Sequence, residues 1–553
     1  MNNKHVLVLG NGPVGQTTAL LLAKWGINVT LLDGRPKRDS IGSKAIAQHR
    51  DVLDIWEHVG AGANIAREGL IWSRSRTFYG SQELFCDTYF ETADSPFPAF
   101  VNISQTRSEQ LLDEQIAKQP SIRVVWDRTA EGVSQNDSGV TITAVAHDGS
   151  RTRFSGDYAV AACGARADEL RKEIGVTLDG RTFEDRFLIC DIKASLEGWE
   201  GERRFYFDPE WNPGRQVLIH PCPDSQYRID WQVPAGYDIE QDEASGGLDR
   251  RIRQIIGETP YEIVWKSVYR FHSRVVNKMR VGKVLLAGDL AHLVSPFGGR
   301  GLNSGIGDAE NAAWKLAFVL HGWADESLLD SYDNERRAAA LENIAVTSDT
   351  MDFLVPQTPE QKEIRTRYLE QALTDPAARK NINSGRLFEP FWYTESPLTS
   401  PNPGRPFAGR PPKGTLVDPG PGVILPDAAV TVAGTEHRIR RLAREGMILL
   451  TGDAADAATF EPLVRRVGNT PVSVLKISDI DPTGSLQLQL KPSAHDVWII
   501  RPDAYVAAVC DARDPESIVA SLRRAVGSAF CGEPQPEPTP PLMTRGSART
   551  YAA

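Results

Sequence analysis

The stretch of sequence that first decides the fold is His5–Asp33, which reads HVLVLGNGPVGQTTALLLAKWGINVTLLD. His5–Leu9 is a short apolar run of the kind that forms a buried parallel strand. Thr17–Trp25 then shows the apolar spacing of a helix, and Asn28–Leu32 is a second apolar and β-branched strand before Asp33. A strand, a glycine-rich turn, a helix and a second strand together predict a βαβ unit.

The glycines of this turn have the spacing Gly-x-Gly-x-x-Gly. Gly10 permits the tight turn, Gly12 lets the backbone approach a pyrophosphate, and Gly15 allows the helix and strand to pack closely. The helix N-terminus offers unpaired N–H groups to the phosphates, and Asp33 follows at about the spacing at which an acid accepts ribose hydroxyls. We therefore expect Gly10, Gly12, Pro13, Gly15 and Asp33 to bind a dinucleotide. This unit alone does not decide between FAD and NAD.

The composition of the 553-residue chain is ordinary, with 41% hydrophobic and 24% charged residues and a net charge of −10. An acidic balance disfavours a nucleic-acid partner. The chain has no uninterrupted apolar run of about 18 residues, so we expect no membrane helix. The six cysteines form no Cys-x-x-Cys pair, which argues against a disulfide framework and against a metal site. The sequence thus predicts a cytoplasmic protein that contains no metal.

A second glycine-rich segment follows another apolar strand, Lys283–Ala287. Residues 288–316 read GDLAHLVSPFGGRGLNSGIGDAENAAWKL. A long glycine loop that leads into a helix N-terminus is an anion site, and Asp289, at the end of a strand, is well placed for the hydroxyls of a polyol chain. The alternative is an ordinary strand–loop–helix turn whose glycines only let the chain bend.

This motif resembles the second FAD motif of the single-component flavin-dependent aromatic hydroxylases, the fold group of para-hydroxybenzoate hydroxylase and phenol hydroxylase. Asp333–Arg336 also resembles that family. The resemblance implies that Asp289 binds the ribityl chain of FAD and that the backbone around Pro296 faces the reactive edge of the flavin. The loop amides would stabilise the negative charge of reduced flavin at its N1–O2 edge. The loop residues concerned are Gly299, Gly301, Leu302 and Asn303.

Weaker matches to the family lie between the two glycine segments. Gln105 resembles a helical glutamine that contacts the FAD, and Arg50 resembles an early arginine or polar position near the cofactor. Gly164 belongs to a segment that in the family reads Asp-Gly-Ala-Arg and contacts both FAD and NADPH. Here Cys163 replaces the aspartate, and a thiol supplies neither the charge nor the acceptor oxygens of a carboxylate. This departure concerns the binding of the reductant and leaves the FAD assignment standing.

Residues 180–275 show the period-two alternation of antiparallel strands. Tyr227, Ile229 and Trp231 share one face of a strand, and we expect this aromatic face to bind a flat substrate; an ordinary core is the alternative for each. His220 and Tyr206 are candidates for handling a phenolic proton.

The fold class predicted is α/β, with a Rossmann-like FAD-binding domain, an interleaved antiparallel-sheet substrate domain and a C-terminal thioredoxin-like domain. The predicted boundaries are an FAD-binding first part over 1–179 with substrate-domain insertions around 70–100, a substrate-binding sheet over 180–275, the second FAD-binding part over 276–396, a Pro/Gly-rich linker over 397–426, a thioredoxin-like domain without Cys-x-x-Cys over 427–530 and a disordered tail over 531–553.

The resemblance implies a monooxygenase that uses FAD, NADPH or NADH, and O2 to hydroxylate a phenolic or other electron-rich aromatic compound. NAD(P)H would reduce the FAD, O2 would form a C4a-hydroperoxide, and its distal oxygen would pass to the ring. Two alternatives remain. The same fold could perform epoxidation, Baeyer–Villiger insertion or antibiotic inactivation, or the chain could bind flavin without catalysis. A homodimer is possible at this stage, and the residue that accepts the phenolic proton is not identified.

Overall fold

The computed structural model describes residues 4–39, 45–88, 94–407, 409, 417–454 and 457–528. The tail predicted over 531–553 lies outside the described residues, and so does part of the predicted linker. No helix within the described ranges is long and apolar enough to cross a bilayer.

The strands of the described part are β1 His5–Leu9, β2 Asn28–Leu32, β3 Ala47–His49, β4 Leu70–Ile71, β5 Arg74–Tyr79, β6 Gln82–Thr88, β7 Phe100–Asn102, β8 Ile122–Val125, β9 Thr129–Asn136, β10 Gly139–Val145, β11 Arg151–Gly156, β12 Tyr158–Ala161, β13 Leu178–Ala194, β14 Glu202–Phe207, β15 Gln216–Cys222, β16 Gln226–Val233, β17 Tyr261–Val276, β18 Arg280–Val281, β19 Val284–Leu286, β20 His292–Leu293, β21 Ala429–Val432, β22 Thr435–Arg438, β23 Met447–Thr451, β24 Val472–Lys476, β25 Asp496–Ile500 and β26 Val506–Asp511.

The α-helices of the same ranges are α1 Pro13–Lys24, α2 Arg50–His58, α3 Gly62–Glu68, α4 Gln105–Ile116, α5 Asp168–Ile174, α6 Ile239–Ala244, α7 Gly247–Ile256, α8 Arg300–His321, α9 Asp330–Leu354, α10 Pro359–Thr374, α11 Ile439–Ala443, α12 Glu461–Arg465, α13 Ile477–Ile480, α14 Ser485–Leu490 and α15 Pro515–Ala525. Short 3-10 turns occupy Gly288–Leu290, Glu326–Leu329, Pro376–Asn381 and Ala457–Thr459.

The first sheet has the strand order β18-β19-β12-β1-β2-β8. β1 pairs in parallel with β2 on one side and with β12 on the other. The strand order therefore extends in opposite directions from β1, which makes β1 a switch point of the sheet. Ligands of open parallel sheets bind outside the carboxyl ends of the strands at such a point. The two glycine segments follow β1 and β19, which end at this same edge of the sheet.

The second large sheet has eight strands in the order β20-β17-β13-β16-β15-β14-β5-β6. Its long strands β13 and β17 pair with each other over much of their length. β5 and β6 come from the segment before residue 90 and join this sheet through β14. β20 pairs with the end of β17, so the second glycine segment starts at one edge of the eight-stranded sheet.

The two faces of the eight-stranded sheet differ, and we name them by what covers them. The outer face packs against α7 and buries Leu188, Val217 and Trp231 with the helix residues Leu248 and Ile252. The inner face packs on residues of α9 and α10, and on the second glycine segment, through the aromatic cluster Phe187, Phe205, Phe207, Phe271 and Phe297.

The C-terminal part contains the four-stranded sheet β24-β23-β25-β26, in which β23 pairs in parallel with β24 and antiparallel with β25. Helices cover this sheet on two sides, with Leu449 and Ile499 in one core and Leu450 and Trp498 in the other. Mixed strand directions and two helical layers confirm the α/β C-terminal domain predicted from the sequence. The domain boundaries themselves stay predictions.

Candidate functional site

The first glycine loop has the close packing that its spacing predicts. Gly10 has φ +102°, and a β-carbon there would lie 2.3 Å from the carbonyl oxygen of Ala162. A β-carbon at Gly15 would lie 1.8 Å from the Gly10 carbonyl oxygen, whereas one at Gly12 would meet nothing within 4 Å. Gly10 and Gly15 are therefore required by internal packing, while Gly12 borders open space that a pyrophosphate could occupy.

Asp33 follows β2 beside this loop, and its carboxylate is already bonded within the protein. It accepts hydrogen bonds from the backbone N–H of Asn11 at 2.7 Å and from the Arg35 side chain at 2.9 Å. Burial opposes ionisation, but the bonds from Arg35 and Asn11 outweigh it and lower the pKa of Asp33. The acid is thus ionised and lies 22 residues beyond Asn11, next to the loop where a ribose would bind.

The side chain of Asp308 on α8 anchors the start of the second glycine loop by hydrogen bonds. The sequence did not reveal this role. One Asp308 carboxylate oxygen accepts from the backbone N–H of Gly288 at 2.9 Å and lies 2.8 Å from His292 Nε2. The other accepts from Arg336 Nε at 2.7 Å, and the Arg336 Nη2 donates to the Ser304 carbonyl at 3.0 Å. These contacts explain why the motif continues into the helix instead of ending with the glycines.

The loop is mostly packed inside the protein and is exposed at two positions. Gly298 and Gly299 have φ +93° and +65°, and α8 begins directly after them at Arg300. Asp289 and Pro296 are exposed at this edge. The buried Ser295 hydroxyl has no hydrogen-bond partner among the residues that the structure describes. An exposed carboxylate after the strand, a helix N-terminus and a buried polar atom without a partner among the described residues fit a bound cofactor.

Asn303 uses its side chain inside the protein. Its amide nitrogen donates to the Ala47 carbonyl at 2.9 Å, and its amide oxygen accepts from the backbone N–H of His49 at 2.9 Å. The side chain therefore ties β3 to α8, and any contact of Asn303 with a cofactor would come from its backbone. Gly301 and Leu302 lie beside it in the first turn of α8.

The weaker candidate positions surround the same edge. Arg50 begins α2 and Gln105 begins α4, where the Gln105 amide oxygen accepts from the backbone N–H of Ala45 at 3.4 Å. Gly164 has φ +80°, and Cys163 beside it is exposed. Arg171, which the sequence did not single out, donates to the carbonyls of Asp289 at 3.2 Å and Leu290 at 2.9 Å.

The predicted substrate face of β16 lies on the outer side of the eight-stranded sheet. Tyr227, Ile229 and Trp231 are each at most 2% exposed and form one core with α7. The Tyr227 hydroxyl donates to the Leu196 carbonyl at 3.3 Å. Tyr206 also packs against this core and stacks on Phe78 with ring centroids 4.5 Å apart. These four side chains pack on the outer side of the sheet, and their predicted roles at the substrate stay predictions.

The inner face carries the alternate residues of the same strands. Phe297, from the second glycine loop, packs on Phe187 and Phe271 with ring centroids 5.5 Å and 6.1 Å apart. His220 lies on this face, in register with Arg228. The loop that would face the flavin therefore touches the inner face of the sheet directly, through an aromatic wall.

The C-terminal domain is joined to the helices behind this site by buried ion pairs. Arg501 donates to Glu335 on α9 at 2.9 Å through Nη2, and Lys315 on α8 donates to the same carboxylate at 2.6 Å. Arg444 bonds both Asp54 on α2 at 2.8 Å and Glu310 on α8 at 2.7 Å. The C-terminal domain thus holds α2 and α8, which begin at Arg50 and at the second glycine loop.

Comparison with known families identifies the cofactor that the chain binds. A family of FAD-binding domains matches residues 3–347, more than half of the chain. The chain belongs to this family. A second family, described as the C-terminal part of aromatic-ring hydroxylases, matches residues 418–529. The two matches cover both the glycine segments and the C-terminal domain that packs behind them.

Individual relatives agree with this assignment. The chain is 28% identical to a 3-(3-hydroxy-phenyl)propionate/3-hydroxycinnamic acid hydroxylase of Klebsiella pneumoniae (strain 342), over 69% of this chain and 73% of that protein. It is 28% identical to a para-nitrophenol 4-monooxygenase of Pseudomonas sp. (strain WBC-3), over 68% of this chain and 94% of that protein. The fold resembles the flavin-dependent monooxygenase PieE, crystallised with FAD and substrate, with a TM-score of 0.83, 21% identity and coverage of 95% and 99% of the two chains.

The protein is therefore an FAD-dependent monooxygenase of the aromatic-ring hydroxylase group, which uses NAD(P)H and O2. This confirms the cofactors, the fold class and the enzyme class predicted from the second glycine segment. The roles of individual residues stay predictions.

Proposed function

We propose that the protein hydroxylates a phenol or a similar electron-rich aromatic compound that binds between the second glycine loop and the inner face of the eight-stranded sheet. The observation that carries this proposal is the contact of Phe297 with the aromatic residues of that face. It joins the loop expected at the flavin to the sheet expected at the substrate. The names of the two curated relatives, a hydroxyphenylpropionate hydroxylase and a nitrophenol monooxygenase, support the phenolic class.

The chain's own residues would bind and orient the cofactor from two sides. Gly12, the N-terminus of α1 and Asp33 would hold the adenosine and pyrophosphate end. Asp289 would accept hydroxyls of the ribityl chain, and the amides that follow Pro296 would offer a positive helix end to the ring system. When bound, the flavin supplies the reduction and oxygen-transfer chemistry, and the protein supplies position and a water-poor site.

The aromatic wall would exclude water from the reacting ring. Phe187, Phe205 and Phe207 are at most 1% exposed, and Phe271 and Phe297 are below 10%. Exclusion of water strengthens the electrostatic contacts inside the site and prevents loss of the activated oxygen. A flat ring would pack against such a wall by the same edge-to-face and stacked contacts that the phenylalanines make with each other.

We infer a cytoplasmic enzyme that acts on small molecules and has no nucleic-acid partner. The acidic net charge disfavours nucleic acid, and the lack of a Cys-x-x-Cys pair disfavours a disulfide framework. A homodimer stays a further proposal. In the described part of the chain the cysteines are free thiols.

The test of this function is the flavin content of the purified protein and its response to phenols. We expect a yellow protein whose NAD(P)H oxidation rises when 3-(3-hydroxyphenyl)propionate or 4-nitrophenol is added. Asp289→Ala should weaken FAD binding about 10-fold or more, because a charged hydrogen-bond acceptor is lost, and Asp137→Ala, in an exposed turn, is the matched control.

Absence of flavin from the wild-type protein would sink the cofactor assignment. Flavin retained without any turnover would favour the non-catalytic alternative. Turnover of non-aromatic compounds alone would favour oxygen insertion or epoxidation on the same fold.

A further inference from the structure

Asp230 is a carboxylate in the middle of the inner face of the eight-stranded sheet. It lies on β16 between Ile189 on β13 and Leu218 on β15, its register partners. The side chain is half-buried, and its shielded oxygen Oδ1 has no hydrogen-bond partner among the described residues. A buried acceptor without a partner costs free energy, so its presence on this face needs a reason.

The arginine whose charge acts most strongly on this carboxylate is itself paired with another acid. Arg228, two residues earlier on β16, donates to Asp191 on β13 with both Nε at 2.8 Å and Nη2 at 3.0 Å. A guanidinium paired in this way with one carboxylate has less attraction left for another. Arg203 on β14 also faces Asp230 and bonds the Ser75 hydroxyl at 3.1 Å. Asp230 is therefore surrounded by two arginines, each bonded to another side chain, and by the Asp191 carboxylate.

Burial then decides the ionisation of Asp230. It raises the pKa of this carboxyl to about 7, with the charge of Asp191 adding to the rise and Arg228 and Arg203 opposing it. Near neutral pH the group thus exists in both forms and can take up a proton or release one. A carboxyl poised near the working pH is what general base catalysis needs.

His220 lies next to Asp230 on the inner face, one strand over and diagonally displaced. The β-carbons of such diagonal neighbours in a regular sheet are about 7 Å apart. Burial, together with the charges of Arg203 and Arg228, lowers the pKa of His220 well below its usual value, so the imidazole is neutral. Its Nδ1 has no partner among the described residues. Two titratable groups with pKa values moved in opposite directions are typical of acid–base sites.

We propose that Asp230 is the catalytic base that accepts the proton of the substrate's ring hydroxyl. This rests on the proposed function and names the proton acceptor for it. The O–H bond of the phenol breaks, an O–H bond forms on the Asp230 carboxylate, and the electron pair stays on the phenolic oxygen. The resulting phenolate donates electrons to the ring and makes the ring more nucleophilic toward the transferred oxygen. The neutral ring of His220 can bind the same hydroxyl.

The test compares wild-type and Asp230→Asn holoenzymes on phenol, 3-(3-hydroxyphenyl)propionate and 4-nitrophenol, with product formation as the measurement. A lost general base should reduce kcat/KM for the first two by about 100-fold or more. The loss should be far smaller for 4-nitrophenol, because its hydroxyl is more acidic and ionises without help. A role in folding alone would lower all three rates by the same factor.

The pH profile gives a second readout. In the wild type, kcat/KM for phenol should fall as the pH drops below about 7, where Asp230 becomes protonated. Asp230→Asn should remove this limb, and Asp230→Glu should restore part of the rate. Asp224→Asn, in the exposed turn of the same hairpin, is the control.

Equal losses on all three phenols, or an unchanged acid limb in Asp230→Asn, would overturn the assignment of Asp230 while leaving the proposed function intact. A wild-type holoenzyme that hydroxylates none of the three would reject the phenolic substrate class, and the assignment of Asp230 with it.

Discussion

The two faces of the eight-stranded sheet come from the same strands but differ in chemistry. On β16 the outer residues Tyr227, Ile229 and Trp231 pack in one core with α7. The inner residues Arg228 and Asp230 lie on the face that also carries Leu218 and the aromatic wall. Successive side chains of a strand point to opposite faces, so a shift of one position separates a packed core from a reactive surface. The aromatic residues of the outer face thus belong to a packed core, whereas the inner face also carries a carboxylate oxygen without a partner among the described residues.

The largest expected effect is a loss of protein stability when a residue of the outer face is changed. Trp231→Ala should lower the free energy of unfolding by about 3–5 kcal/mol, because a fully buried ring leaves a cavity. Urea denaturation followed by circular dichroism measures it. Leu488→Ala, at a side chain 76% exposed, is the control and should change little.

If Trp231→Ala does not fold, Trp231→Phe keeps most of the volume and should retain both fold and substrate affinity. A Trp231→Phe protein with normal stability but a strongly raised KM for phenols would show that the outer face binds the substrate.

A smaller effect concerns the pH dependence of stability at the inner face. The pKa of Asp230 is raised in the folded protein to about 7, whereas an unfolded chain has about 3.9. The folded state therefore binds the extra proton, and its stability falls as the pH rises between these values. Asp230→Asn should remove that loss and be more stable than wild type at pH 8, by about 1–2 kcal/mol for a half-buried group.

The measurement is urea unfolding of both proteins at pH 5 and pH 8. A difference between them that does not change with pH would contradict the raised pKa of Asp230.

The smallest effect is expected at Tyr206, which the sequence offered as a candidate for handling a phenolic proton. Its ring packs in the outer core against Phe78 and Trp211. Tyr206→Phe should therefore leave kcat/KM for a phenol within about 2-fold of wild type, since surrounding packing is preserved. A 10-fold loss in steady-state assays would place the Tyr206 hydroxyl back in the reaction.

Much of this architecture followed from local sequence patterns. The glycine spacing from Gly10 to Gly15 and the motif after Gly288 each combine a turn, a strand and a helix within one stretch, so neighbours in sequence are neighbours in the site. The class of cofactor and the fold could be predicted for that reason.

The substrate side could not be predicted in the same way, because it depends on partners far apart in the chain. The outer face of β16 packs against α7 and the inner face lies toward α9 and α10, and the pKa of Asp230 depends on Asp191 and Arg203 in other strands. The role of Asp308 depends on its contacts with both His292 and Arg336, and the sequence does not show that these three side chains meet. Alternation alone shows that two faces exist and does not show what packs against each of them.

The most direct test of the inner face as the working face is a crystal structure of the FAD-loaded protein with 3-(3-hydroxyphenyl)propionate bound. We predict that the ring lies against Phe297 and Leu218, with its hydroxyl within hydrogen-bond distance of Asp230. A ring bound on the α7 side of the sheet, or a hydroxyl directed away from Asp230 and His220, would contradict this account.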